Sequence, residues 1–308
     1  MLQYLISLTI YSISSGTSFK IFLKTIYSKI LIFILFLIIF IYLFYPLYWL
    51  DPKLFITAIR EMGRFYNNVC TDTLGTCMYA KDLPPTYIPI WLSVKLPFLI
   101  LLGICLLPFT EKKIFTNNKK NIFFGTILAT SILIPLILIL WNITLYDEVR
   151  HIMFLIPLFF ILGTISLFTF SKKIFYLFGF ITVSLFVIEN IKIHPYQYVW
   201  FNMPSRFIDL TSKFELEYQG ISGKEIAKQI SKMDNKERCI LVSPLHSVKP
   251  FLDEKKYNCF AQWQLIDTNY ERPFLAVQHV RNLKKSMPYK CKEIYKESFN
   301  LLFHKKNL

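Results

Sequence analysis

Five stretches of this chain, about 29–50, 88–109, 121–145, 152–170 and 173–193, are apolar over close to twenty residues each. Runs of that length match the ~30 Å hydrocarbon core of a bilayer when coiled as helices, at ~20 residues per crossing. No single soluble core takes up so many. The chain as a whole is 54% hydrophobic and 18% charged, with 30 phenylalanines, which is far from the makeup of a water-soluble domain. The expectation is a polytopic α-helical membrane protein of about five transmembrane helices. Residues Met1 to Ile13 are also apolar but too short to span, and they lack the basic leader and small-residue cleavage site of a signal peptide.

The lysines give an orientation. Cytoplasmic connections collect Lys and Arg. Lys20, Lys24 and Lys29 come before or at the first window. Lys112, Lys113, Lys119 and Lys120 lie between the second and third, and Lys172 and Lys173 between the fourth and fifth. If all five windows span, these clusters share one side. The connections 51–87 and 146–151 then face outside, together with everything from His194 onward.

The outer connection 51–87 has a pattern of its own. Phe55, Ala58, Ile59, Met62 and Phe65 recur at helical spacing among Arg60, Glu61 and Arg64, which predicts a helix lying in the interface after Asp51-Pro52. Cys70 and Cys77 follow. An oxidising exterior permits a disulfide between them, and two free thiols are the alternative that spacing leaves open. Tyr79, Tyr87 and Trp91 are expected at the membrane boundary, where amphipathic rings are favoured. Cys105 reads as a small packing residue within a span. Cys239, Cys259 and Cys291 make an odd number in the tail.

After Ile193 the long apolar runs stop. Gly223 to Lys232 reads as a helix with Ser222 at its N-cap and Glu225 completing a capping box. Cys239–Ser243, Asn258–Gln262 and Phe274–Gln278 read as short strands. The expectation is a small extracytoplasmic α/β domain over 194–308, a membrane bundle over 29–193, and an N-terminal segment 1–28 that ends a truncated membrane half. The tail carries 19 Lys+Arg against 12 Asp+Glu. Beside a membrane, that excess meets anionic headgroups or phosphates rather than nucleic acid.

Charged residues concentrate at one place. Tyr146-Asp147-Glu148-Val149-Arg150-His151 stands between two apolar runs, with Asn142 before it and Glu189 and Asn190 ending the last window. Lys95 lies inside the second window. Ionisable groups at membrane depth face protein or a wet cavity, because lipid cannot solvate them. Lys95 either serves such a site or snorkels to the surface. Arg150 offers a planar fork of donors that suits a phosphate, and it stays charged at any working pH. The competing reading is an internal ion pair with Asp147 or Glu148. The five histidines are scattered without metal-ligand spacing, and no nucleotide loop or hydrolase motif occurs.

Four segments in order, Asp82–Trp91, Leu145–Pro157, His194–Asn202 and Phe214–Ser222, are similar to the C-terminal half of bacterial membrane glycosyltransferases. These are the protein-mannosyltransferase-like, family-39-type members of the GT-C superfamily. The resemblance implies transfer of a sugar from a polyprenyl-phosphate-linked donor outside the cytoplasmic membrane, with no further cofactor. It places Arg150 and Pro157 near the donor phosphate; from the residues themselves, Arg150, His151, Asp147, Asp82 and Lys95 are the expected substrate-binding residues. The family's catalytic acid normally belongs to an N-terminal half, so the resemblance also implies a separate N-terminal half as partner. A non-catalytic scaffold binding glycan, lipid phosphate or protein is the alternative. A transporter would show helices broken at mid-membrane; only Pro97 and Pro135 approach that, and no pair of discontinuous spans is evident.

Overall fold

The computed structural model describes the chain except residues 1–5, 8, 13–15, 17–18, 52, 63–68, 217–219, 234–238, 244, 258, 263–273, 279–293, 296–297, 302–303 and 308. Helix α1 (Phe19–Phe44) is followed by a single turn, α2 (Leu47–Leu50), and by α3 (Lys53–Met62). A hairpin of β1 (Cys70–Thr73) and β2 (Thr76–Tyr79) leads to α4 (Tyr87–Lys95), α5 (Phe98–Cys105), α6 (Leu107–Ile114) and α7 (Asn118–Leu140). A 3-10 segment, Arg150–Leu155, runs directly into α8 (Ile156–Phe170), and α9 (Lys172–Lys192) ends the apolar region. Four helical stretches are long and apolar enough to cross a membrane: Tyr27–Phe44, Lys120–Leu140, Arg150–Phe170 and Lys172–Lys192. The bent pair α4–α5 makes a fifth if it counts as one span. These helices mark the chain as membrane-embedded.

The spans differ in detail from the apolar windows, and each difference has a local cause. α1 stops at Phe44 because the following Tyr45-Pro46 step disfavours helix, so residues 45–50 leave the first window. Lys20, Lys24 and Lys29 lie inside α1 rather than in a loop before it. The second window is not one helix. α4 and α5 meet at 119°. Pro97 has no N–H to continue the ladder and forces Leu96 out of the helical region, to φ −75° and ψ 139°. Pro135, by contrast, sits inside an unbroken α7. Of the two prolines that approach a helix break, Pro97 makes one and Pro135 does not, so no pair of broken helices occurs among the described residues.

A helix is present, as α3, where one lying in the interface is expected. Asp51 caps it by accepting the Lys53 N–H at 2.9 Å. Pro52, Arg64 and Phe65 of that reading lie outside the described residues. The hairpin turns at Leu74-Gly75, both at positive φ (51° and 83°), as a two-residue hairpin turn requires. A disulfide joins Cys70 and Cys77 across the pair, with Cα atoms 5.4 Å apart. Cys105 is the free cysteine among the described residues, and it is exposed rather than packed.

Tyr87 and Trp91, expected as rings at the membrane boundary, face protein rather than lipid or solvent. Both are fully buried in one cluster with Val94, Leu145, Ile152, Leu155, Phe201, Leu210, Phe214 and Leu216. Trp91 packs edge-on against Phe214 at 5.2 Å and donates its indole N–H to Thr73 Oγ1 at 3.0 Å. The core thus knits α4, the charged turn and residues 201–216 together. Residue 214 also bridges to β1 at Thr73.

Beyond α10 (Leu210–Lys213), α11 (Gly223–Lys232) matches the helix read from the sequence. Ser222 does not cap it through its side chain; its own backbone is already helical (φ −59°, ψ −22°). Three strands, β3 (Cys239–Ser243), β4 (Cys259–Gln262) and β5 (Phe274–Gln278), pair in parallel in the order β4-β3-β5. Ala227 and Ile230 of α11 share a buried cluster with Ile240, Val242, Leu275 and Val277. Cys239 pairs in register with Cys259 and is disulfide-bonded to it. Asn258, His279 and Cys291 lie outside the described residues. A last hairpin joins β6 (Ser298–Leu301) and β7 (His304–Asn307).

Candidate functional site

The charged hexad forms a tight turn between α7 and the 3-10 segment. Asp147 (φ 55°) and Glu148 (φ 64°) both adopt the left-handed conformation, which costs a non-glycine residue free energy and needs support from its surroundings. That support is visible. Thr71 of the hairpin accepts the Asp147 N–H at 3.1 Å, and the Tyr87 hydroxyl donates to the Glu148 carbonyl at 3.3 Å. Asp147 and Glu148 are 5% and 3% exposed, so the turn drives two carboxylates inward.

Each acid is met by a cation. Lys95 Nζ lies 2.5 Å from Glu148 Oε2, donates to the Tyr198 carbonyl at 2.9 Å, and sits 4.1 Å from the Phe201 ring centroid. Lys95 therefore neither snorkels nor stands open to a ligand; it neutralises Glu148 inside the core. Arg150 takes the other acid. Its Nη1 is 3.3 Å from Asp147 Oδ2, and its side chain is 48% exposed. That is the internal ion pair considered for Arg150, made with Asp147. It uses one nitrogen of the fork and leaves the guanidinium at the surface. His151 follows on the same 3-10 turn, with its ring 4.4 Å from that of Tyr146.

Asp82 is not drawn into this network. It stands exposed on the turn after β2, with its N–H donating to the Tyr79 carbonyl at 3.0 Å. Among the described residues no hydrogen bond or ion pair joins it to Asp147 or Arg150. Asn142 reaches that same turn, donating to the Lys81 carbonyl at 3.1 Å. Asp147, Glu148, Lys95, Arg150 and His151 come together; Asp82 lies apart. Among the described residues no group of three or more His, Cys, Asp or Glu side chains gathers to hold a metal ion.

Two residues that the sequence reading did not single out organise the other flank. Asn202 takes over the helix end freed at Pro97. Its backbone N–H donates to Val94 O at 2.9 Å, and its side-chain amide donates to Ser93 O at 2.6 Å and Leu96 O at 2.8 Å. Backbone groups released at membrane depth need such partners. Arg206 is 5% exposed and grips Glu189 of α9 with both terminal nitrogens, Nη2 lying 2.8 Å from Oε2. It also donates through Nε and Nη2 to the Phe201 carbonyl at 2.9 and 2.7 Å. Trp200 Nε1 completes the carboxylate's shell at 2.9 Å from Oε2. The signal that could have found Arg206 is Glu189 itself, since an acid in an apolar helix demands a cation. Asn190 donates back to Phe186 O within α9 and takes no part in this pair.

Arg206→Lys should lower stability by about 3 kcal/mol, because an ammonium cannot hold the carboxylate bidentately and reach Phe201 O as well. Thermal unfolding in detergent measures it, with Lys192→Arg on the exposed end of α9 as the neutral control. Equal melting of the two variants would show that the fork geometry is immaterial. In comparison with known proteins, no family model, no curated protein and no solved structure matches the chain.

Proposed function

We propose that this chain is the C-terminal portion of a membrane glycosyltransferase. It acts at the outer face of the cytoplasmic membrane, and Arg150 holds the phosphate of a polyprenyl-phosphate-linked sugar. One observation carries the reading: a guanidinium that is half exposed, engaged through a single nitrogen, and set on a strained turn at the end of an apolar span. A phosphate can take up the rest of the fork. Lys95 is already committed to Glu148, so the phosphate role falls to Arg150 rather than to the pair of cations. His151 and Asp147 flank the headgroup. The disulfides at Cys70–Cys77 and Cys239–Cys259 favour an oxidising outer side for the hairpin and for a small α/β domain built on α11 and the parallel sheet.

Catalysis needs a base, and the buried acids are poor candidates. Glu148 neutralises Lys95, and Asp147 holds Arg150. In this reading the base is Asp82 or a carboxylate from a separate N-terminal half. The burial of both acids also favours the second reading, a non-catalytic membrane protein that binds lipid phosphate, glycan or a protein partner.

Binding of a polyprenyl phosphate to the purified protein is the first test. Arg150→Ala should weaken it roughly 10- to 100-fold, the equivalent of about 1.5–3 kcal/mol for a charge-assisted hydrogen bond, in a protein that still folds although Asp147 has lost its cation. Unchanged affinity removes the phosphate clamp. Sugar transfer in membranes, with this chain alone and with a co-expressed N-terminal half, separates the two readings. Activity of the chain alone that is lost in Asp82→Asn assigns the base to Asp82. Phosphate binding without transfer in either arm leaves the binding protein.

A further inference from the structure

A cavity of about 530 Å³ lies between α5, α8, α9 and residues 200–206. Its walls are almost wholly apolar, with Phe98, Leu102, Leu167, Phe178, Ile181 and Leu185 among them. Along α9 the lining runs from Ile174 to Glu189, which at ~1.5 Å per residue is about 22 Å of the ~30 Å hydrocarbon core. That extent along one helix suits a linear chain rather than a compact ligand.

The helix along one wall explains why the space exists. Glu189 is the one buried residue of α9 among those described, so the apolar length of that helix is only partly covered by protein. In a bilayer, what reaches such a space from the side is hydrocarbon. The polar end is closed by Glu189, Arg206, Trp200 and Asn202. Arg206 already donates from Nε, Nη1 and Nη2, and Glu189 cancels its charge. Among the residues lining the cavity, Arg206 is the cation and it offers no spare charge to an anionic lipid phosphate, which sets this cavity apart from the half-exposed Arg150. Trp200 stands at the end where indole rings favour the bilayer interface.

We propose that the cavity holds one acyl chain of a zwitterionic bilayer phospholipid, seated between α5 and α9 in place of protein packing. The inference does not depend on glycosyl transfer. It makes the lipid a structural part of the protein, with its headgroup left at the Trp200 end.

The full chain, purified in mild detergent and washed free of bulk lipid, is analysed by mass spectrometry for the lipid it keeps. One phospholipid per chain is expected, falling roughly fivefold or more in the Leu102→Phe/Leu185→Phe variant, whose added rings occupy the space. No retained lipid overturns the proposal. So does equal retention by the filled variant, or an isoprenoid lipid phosphate as the retained species. If the filled variant does not fold, the parent chain decides the matter. It is reconstituted with phosphatidylcholine carrying a diazirine on its acyl chain, washed in the same way and irradiated. Crosslinks on the peptides of α5 and α9 are expected; crosslinks confined to α1 would overturn the assignment.

Discussion

Gly103→Val is expected to leave no folded protein in a detergent extract, whereas Gly179→Val melts with the parent. The first position is where α5 crosses α8. A Cβ built on Gly103 would fall 2.0 Å from the Gly163 carbonyl oxygen and 2.8 Å from its Cα. One on Gly163 would fall 2.6 Å from the Ile100 carbonyl oxygen. Those are backbone atoms, so no side chain can swing aside. Between apolar helices in lipid, association rests on close packing and interhelical hydrogen bonds, and small residues are what permit close approach. A hydrogen bond between Thr110 and Ser166, 2.8 Å apart, ties the next helix, α6, to the same face of α8. Overpacking a tight site costs about 1–3 kcal/mol when neighbours can shift, and more when they cannot. Alanine at 103 should therefore already lower the melting temperature, and valine should separate the helices. Gly179 in α9 meets nothing within 4 Å, so it tests whether valine itself is harmful. Size-exclusion profiles and thermal melts of the three variants decide it. A Gly103→Val protein that elutes and melts like the parent would mean that α5 and α8 do not cross there.

Apolar periodicity made most of the membrane architecture legible, because lipid imposes length and polarity on any span. It made the helix ends less legible. Pro46 and Pro97 both carry the relevant signal, yet Pro135 carries it too and leaves α7 unbroken. What separates Pro97 from Pro135 is Asn202, more than a hundred residues downstream, which donates to the freed carbonyls. A local reading cannot contain that partner. The same holds for the site. The density of charge at 146–151 points to a special turn, and α11 with its neighbouring strands is plain from spacing and composition. Which acid meets which cation depends on the fold bringing Lys95 beneath the turn, and Arg206 beneath Glu189. Trp91 is ambiguous for a related reason: an amphipathic ring suits an interface, but it suits equally a core that offers its N–H an acceptor, and Thr73 does so.

Lys95→Met should destabilise the protein by about 3–5 kcal/mol, and a second substitution, Glu148→Gln, should recover part of that loss. The side chains are 7% and 2% exposed, so removing the lysine strands a carboxylate in the core. Taking both charges away removes the desolvation cost along with the attraction, which is why the double variant is expected to be the milder one. A coupling of about 0.5–3 kcal/mol between the two positions is the size found for directly paired residues. The same pair anchors the backbone on which Arg150 sits, since Glu148 and Asp147 occupy consecutive left-handed positions. Lys95→Met should therefore also weaken phosphate binding at Arg150, without Lys95 touching the ligand, and the double variant should restore binding together with stability. Thermal melts of the four proteins, with phosphate affinity measured on each, carry the test. If the two single losses simply add in the double variant, Lys95 and Glu148 act independently. If stability recovers and affinity does not, the turn is held by its left-handed backbone and its Thr71 and Tyr87 contacts rather than by the ion pair below it.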